Sequence, residues 1–254
     1  MQRTSKPTLA APPASRLVQL LCELGQGPGK PGQTPCFAER LGRLFDLSDT
    51  IALDTARRYR PPAASDATAG DDADTLQQLL MKTRQALLEG ISGSFRGAPV
   101  SSTLSLPAPR ANDVAGARPT FTPYERFYLA QQRQLISAVH NLRVRARRAL
   151  TARSPALAQL AELDTVFDNT LSDYSRRGFA AVPALLKKRF VSLWLAHQKA
   201  HPEGSDPADW MTTGAWLQRF CQNMQSLLLA ELETRLEPVL GLLEALQNEE
   251  CQTP

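Results

Sequence analysis

Residues 216–246 read WLQRFCQNMQSLLLAELETRLEPVLGLLEAL, and the fold class follows from their spacing. Trp216, Phe220, Met224, Leu227, Leu228, Leu232, Leu236, Val239, Leu243 and Leu246 recur at spacings of three and four. That period lays apolar side chains along one face of an α-helix. Pro238 has no N–H for the bond one turn back, so the pattern predicts a long helix kinked or split there. A stripe of this length has to be covered by other helices.

Upstream, the same period returns with clear punctuation. Asp206-Pro207-Ala208-Asp209 caps a turn that leads into the long helix. Before it, Pro183 to Ala200 forms a helix carrying Leu186, Phe190, Leu193 and Trp194. Ser154-Pro155 opens another, with Leu157, Leu160, Leu163, Val166, Phe167 and Leu171 on one face and Gly178 at its end. Thr122-Pro123-Tyr124-Glu125 reads as a capping box with proline at the first helical position, opening a helix that runs to about Ala152. Asp74, with Gln77 three residues on, opens a helix carrying Leu76, Leu79, Leu80, Leu87 and Leu88. Ser48 caps a short helix through Ile51 and Ala52, and Thr34-Pro35 opens one with Phe37, Leu41, Leu44 and Phe45. Leu17, Leu20, Leu21 and Leu24 form one stripe on a short helix closed by Gly25.

Two stretches lack large apolar residues at any useful period. Residues 60–73 (RPPAASDATAGDDA) are rich in Pro, Ala and Asp, and residues 97–120 hold four prolines and no aromatic side chain. Such segments bury too little surface to offset their ordering entropy. The expected organisation is a disordered tail over 1–13, an N-terminal helical lobe over 14–59, a linker over 60–73, a helix over 74–96, a disordered linker over 97–120 and a C-terminal helical bundle over 121–250. The fold class is all-α, a helical bundle with a smaller N-terminal lobe and long disordered linkers.

Bulk composition excludes more than it identifies. The 254 residues carry 29 Lys+Arg against 25 Asp+Glu, a formal charge of +4 that does not announce a nucleic-acid binder. The apolar run Val191 to Ala196 falls far short of the roughly 20 residues that span a bilayer. Met1 to Pro13 contains no apolar core of a secretory signal. Cys22, Cys36, Cys221 and Cys251 show no CxxC pairing and read as reduced thiols. A cytoplasmic protein with no membrane span is the expectation.

No catalytic or metal site emerges. Gly25-Gln26-Gly27-Pro28-Gly29-Lys30-Pro31 lacks the glycine spacing of a phosphate loop, has proline where Ser or Thr would hold magnesium, and follows a helix instead of a strand. His197 and His201 have the i, i+4 spacing of a metal face, but Gln198, Lys199 and Ala200 between them supply no general base, and no third ligand is near. Ser92 and Ser94 form no nucleophile elbow, and His140 is the only other histidine available as a base. Cys22 and Cys36 lie among Leu and Phe and read as inert core thiols. Asp164, Asp168 and Asp173 read as a solvated helix face. Catalytic residues, metal ligands and cofactors are all expected to be absent. A hydrolase or nuclease would need a concave carboxylate cluster, or two further ligands beside His197.

The clearest physical signal is charge. Residues 121–153 hold seven arginines, no lysine and only Glu125 of opposite sign. Arg126, Arg133, His140 and Arg147 are heptad-spaced along one face, flanked by Arg143 and Arg148. Tyr128, Leu135, Val139, Leu142, Ala146 and Leu150 take the opposite arc. Three fates compete for the basic face: a solvated or internally paired surface, which ranks first, a contact to DNA or RNA phosphates, which ranks second, and docking against an acidic helix. The third has a candidate within the chain, the C-terminal segment with Glu231, Glu233, Glu237, Glu244, Glu249 and Glu250 against Arg235. That pairing could be made within the chain or between protomers. Lys187 and Lys188, followed by Arg189, form a second basic cluster. The residues expected to meet nucleic acid are Arg126, Arg133, Arg143, Arg147, Arg148, Lys187 and Lys188.

Specific strings then suggest kinship. LVQLLCEL, CFAERLGRLFDLSDTIAL, PYERFYLAQQRQL, LRVRARRAL, LAQLAELDTVF, VPALLKKRF and FCQNMQSLLLAELETRLEPVLGLLEAL, in that order, resemble an uncharacterised proteobacterial family of unknown function. The resemblance covers nearly the whole chain outside the two linkers. It implies a gene beside MotA/ExbB-like proton-channel subunits and OmpA-like peptidoglycan-binding proteins, an arrangement similar to Zorya antiphage defence operons. No catalytic residue carries over. The resulting expectation is a non-enzymatic accessory protein of such a system. It would act on partner proteins of the same operon and bind DNA or RNA through the arginine helix. The alternative is a structural scaffold that oligomerises through its C-terminal helix and binds no nucleic acid.

Overall fold

The computed structural model describes residues 15–25, 47–60, 71–96, 104–109 and 119–252. Every regular element among them is helical: α1 (Arg16–Gly25), α2 (Leu47–Arg57), α3 (Ala73–Arg96), α4 (Thr122–Arg153), α5 (Pro155–Ala180), α6 (Val182–Ala200), a 3₁₀ turn (Pro207–Met211) and α7 (Trp216–Gln252). The expected all-α bundle is what forms. The tail over 1–13, the helix expected from Thr34 to Phe45 and most of both linkers lie outside the described residues.

Helix α7 is the axis of the bundle and packs against α1, α3, α4 and α6. Every apolar residue of its repeat, from Trp216 to Leu246, is buried. Pro238 sits inside it without splitting it. The magnitudes explain why: proline in a helix interior costs about 3 kcal/mol, whereas each large side chain fully buried contributes about 1.5–3 kcal/mol. Neighbouring Leu236, Val239, Leu242 and Leu243 are all buried, so their packing carries the helix through.

Several boundaries move for local reasons. Helix α3 is capped by Asp72, whose Oδ1 accepts the Thr75 N–H at 2.7 Å, and not by Asp74. Thr122 makes no side-chain cap; Phe121 takes the N-cap position, its carbonyl accepts the Tyr124 and Glu125 N–H groups, and its ring is buried. Ser154 does cap α5, accepting from the Leu157 N–H at 3.2 Å. Gly178 does not end α5, which continues to Ala180 and leaves Ala181 alone before α6. Ser48 falls within α2 instead of preceding it.

Part of the stretch expected as linker is ordered. Leu104 and Leu106 pack on the core, and the Leu106 N–H donates to the Ser94 carbonyl at 3.1 Å. Helix α1 packs on α6 and α7 and contributes Leu17 and Leu24 to the same core. Helix α2 packs on α5, with Thr170 Oγ1 donating to Asp49 at 2.8 Å.

One end of the bundle is aromatic. Trp194, Trp210 and Trp216 meet pairwise at centroid separations of 5.2 to 5.3 Å. Phe190 joins Trp216 at 5.2 Å and Phe220 at 5.1 Å, both edge-on. Such packing adds to the area term through the ring quadrupoles.

A candidate interaction face on the arginine helix

Helix α4 buries the arc expected for it: Tyr128, Leu135, Val139, Leu142, Ala146 and Leu150 all lie in the core. Its arginines, however, divide into two sets. Ser154 alone separates α4 from α5, so the two helices pack as a hairpin. Acids about three to four turns past Ser154 therefore lie beside arginines about two to three turns before it.

Arg143, Arg145 and Arg147, toward the C-terminal end, are paired within the molecule. Arg143 grips Asp164 with both arms of its fork, Nε to Oδ2 at 2.9 Å and Nη2 to Oδ1 at 2.6 Å, and extends Nη1 to Asp168. Arg147 donates from Nε to Asp164 Oδ2 at 2.7 Å, and from Nη2 to Asp168 Oδ2 at 2.9 Å and the Asp164 carbonyl at 3.2 Å. The side chains of Arg143, Arg147 and Asp164 are only 15%, 16% and 13% exposed. Burial works to raise the Asp164 pKa, but the hydrogen bonds and charges of Arg143 and Arg147 outweigh it and hold the carboxyl below its usual range. Arg145 grips Asp71 at 2.7 Å.

Arg143 and Arg147, two of the residues expected to meet nucleic acid, spend their donors on Asp164 and Asp168. The two aspartates, expected on a solvated face, form the inner half of this clamp. Asp173 stays exposed beside Arg176.

The acidic C-terminal helix is not what pairs with these arginines. Glu231 on this helix is fully buried and receives Arg235 Nε and Nη2 on Oε1 at 2.9 and 2.7 Å. Its Oε2 receives Tyr128 Oη at 3.0 Å and Gln132 Nε2 at 2.8 Å. Burial first, then the Glu231 charge, push the Tyr128 hydroxyl pKa up, so it stays a donor. Arg235 also lies over the Phe179 ring at 3.8 Å. Sequence reasoning missed this network, although the i, i+4 pair Glu231–Arg235 inside a leucine run was its signal.

The N-terminal set of α4 remains open. Arg126 and Arg133 are exposed, as is Arg148 near the other end, and none has an ion pair among the described residues. Beside Arg126 and Arg133 stand two large apolar side chains, Leu129 (39% exposed) and Ile136 (47%). Arg126, Leu129, Arg133, Ile136 and His140 follow spacings of three and four and fall within an arc of about 80°. Lys187 and Lys188 are elsewhere, along a shallow groove on α6 with Val191, Leu195 and Lys199.

His197, Cys22 and Cys221, singled out from the sequence, lie on helices other than α4. His197 and His201 stack at 4.4 Å, and His197 Nε2 meets Ser205 Oγ at 2.7 Å. Burial, then the neighbouring His201, lowers the His197 pKa. Among the described residues no group of three or more His, Cys, Asp and Glu side chains could hold a metal ion. Cys22 is exposed and not a core thiol, because Leu17 and Leu24 take the inner face of α1. Cys36 lies outside the described residues. Cys221 is buried, which pushes its thiol up to about 12. No helix among the described residues is long and apolar enough to cross a membrane.

The family described as protein of unknown function (DUF3348) matches residues 1–248. The chain belongs to this family. No curated protein and no solved structure matches it.

Proposed function

We propose that this member of the family is a non-enzymatic protein that works by protein–protein contact through the open face of α4. The observation that carries this reading is the line Arg126, Leu129, Arg133, Ile136, exposed and with no ion pair among the described residues. Single exposed apolar residues are ordinary on any surface. Two of them interleaved with unpaired arginines at heptad spacing match what a partner helix buries, since interfaces combine arginine with large apolar groups. The non-enzymatic part of the reading rests on the sequence, which carries no motif that pairs a nucleophile with its base and no spacing of a full metal-ligand set.

Contact with DNA or RNA is the second reading. It draws on the exposure of Arg126, Arg133, Arg148, Lys187 and Lys188. Phosphate contacts make no use of Leu129 and Ile136, which ranks this reading lower. The resemblance to proteins encoded beside MotA/ExbB-like and OmpA-like subunits supplies the partners to try first and the cytoplasm as the place of action. An accessory role in Zorya-like defence is the finest form of the proposal and rests on that resemblance alone.

The test uses the purified chain, its R126E/R133E variant and each operon neighbour, alongside a shift assay with duplex and single-stranded DNA over a range of salt. We expect a neighbour retained by the wild type and lost from the variant, with no salt-dependent shift. A steep salt slope that disappears in the variant would give the face to nucleic acid instead. Retention unchanged by the double reversal would remove the face from the function.

A further inference from the structure

We infer that the open face of α4 receives the acidic face of α7 from a second copy of this chain. The inference rests on reading the α4 face as a protein-binding site and names its occupant. Helix α7 has its own exposed stripe, formed by Glu237, Leu240 and Glu244, with Leu240 47% exposed. Neither Glu237 nor Glu244 has an ion pair among the described residues. The stripe runs charge, apolar, charge at spacings of three and four. Arg126, Leu129 and Arg133 repeat the same order at the same spacings with the opposite sign.

On both helices the two charges are therefore seven residues, or about 10.5 Å, apart with one leucine between them. In a parallel alignment Arg126 meets Glu237, Leu129 meets Leu240 and Arg133 meets Glu244 without a shift. The same offset brings His140 opposite Cys251, and both are exposed. An antiparallel alignment puts the leucines out of step by one residue. Within one molecule α4 and α7 already pack together, but through their buried faces, which leaves both stripes outward. The contact is heterologous, the basic face of one copy on the acidic face of the next. One helix face on another is small against the roughly 1,600 Å² of a standard complex, so the association is micromolar or weaker and sensitive to salt.

Sedimentation velocity of the full chain from about 10 to 200 µM, at about 50 mM and about 500 mM salt, tests it. The wild type is expected to associate with rising concentration at low salt and to dissociate at high salt. R126E/R133E and E237R/E244R should each weaken association at least tenfold. Mixing the two variants should restore it, because each retains the face the other lacks. In a C22S/C36S background, H140C oxidised with copper phenanthroline should give a head-to-tail series of covalent oligomers that is absent both from H140C/C251S and from the background that keeps His140. A wild type that stays monomeric throughout, a mixture that does not associate, or a cross-link that persists without Cys251 would each overturn the inference. In that event, loss of an operon partner from R126E/R133E would give the face to that partner and leave the broader reading standing.

Discussion

Arg143 and Arg147 on α4 are the same kind of side chain as Arg126 and Arg133 and are put to different use. Arg143 and Arg147 lie one turn apart and face α5, which offers Asp164 and Asp168 at the same i, i+4 interval. Arg126 and Arg133 lie two turns apart on the outer arc, where neither has a carboxylate partner among the described residues. Helix α7 repeats the contrast with the opposite sign. Glu231 is wholly buried and bonded on both oxygens, whereas Glu237 and Glu244 face outward. The residue type sets neither role. What decides is whether the helix turns it toward a neighbour that can share the cost of taking a charge out of water.

The largest effect should therefore come from the most buried member. Glu231→Ala strands the Arg235 guanidinium, the Tyr128 hydroxyl and the Gln132 amide, and is expected to lower stability by about 3–5 kcal/mol in denaturant titration. Glu237→Ala on the same helix should stay within about 0.5 kcal/mol. Similar losses at the two positions would break the contrast.

Asp164→Ala comes next. It removes the carboxylate that both Arg143 and Arg147 grip, but Asp168 remains and is 33% exposed. A loss of about 2 kcal/mol is expected, smaller than at Glu231 because water reaches part of the clamp. Acid sharpens the point further. The Asp164 pKa is lower folded than unfolded, so its contribution is present in full at neutral pH. That contribution fades as the pH falls below the unfolded value of about 3.9 and is gone below the folded one. Between pH values of about 5 and 2, wild-type stability should fall more steeply than that of Asp164→Asn, as followed by urea midpoints.

The sequence makes the bundle legible because periodicity survives without any knowledge of neighbours. The α7 stripe and the inward arc of α4 both lie where their spacing predicts. Proline and caps are less legible, since tertiary packing overrides them. Pro238 is held inside α7 by buried leucines, and Phe121 displaces Thr122 at the start of α4 because its ring belongs to the aromatic core. Charge is half legible. The concentration of arginines on α4 is plain from composition, but the split between clamp and open face depends on where α5 lies against α4. Asp164 and Asp168 look like ordinary solvated acids until that helix is placed. Glu231 is hidden for the same reason, because its outward neighbours on α7 share its charge.

The smallest expected effect on stability is also the most useful one. Arg126 and Arg133 are separated by about 10.5 Å along the helix, close to the Debye length of roughly 10 Å at 0.1 M salt. Their mutual repulsion is mostly screened, and neither satisfies a buried acid. Reversing both to Glu should move the unfolding free energy by no more than about 0.5 kcal/mol. The comparison with Arg143→Glu is the control, because that change drives a carboxylate against Asp164 and Asp168 and should unfold the contact between α4 and α5. If R126E/R133E were as damaging, the outer arginines would be structural after all. If it is silent in stability, then any loss of association it causes reports the contact itself and not a damaged fold.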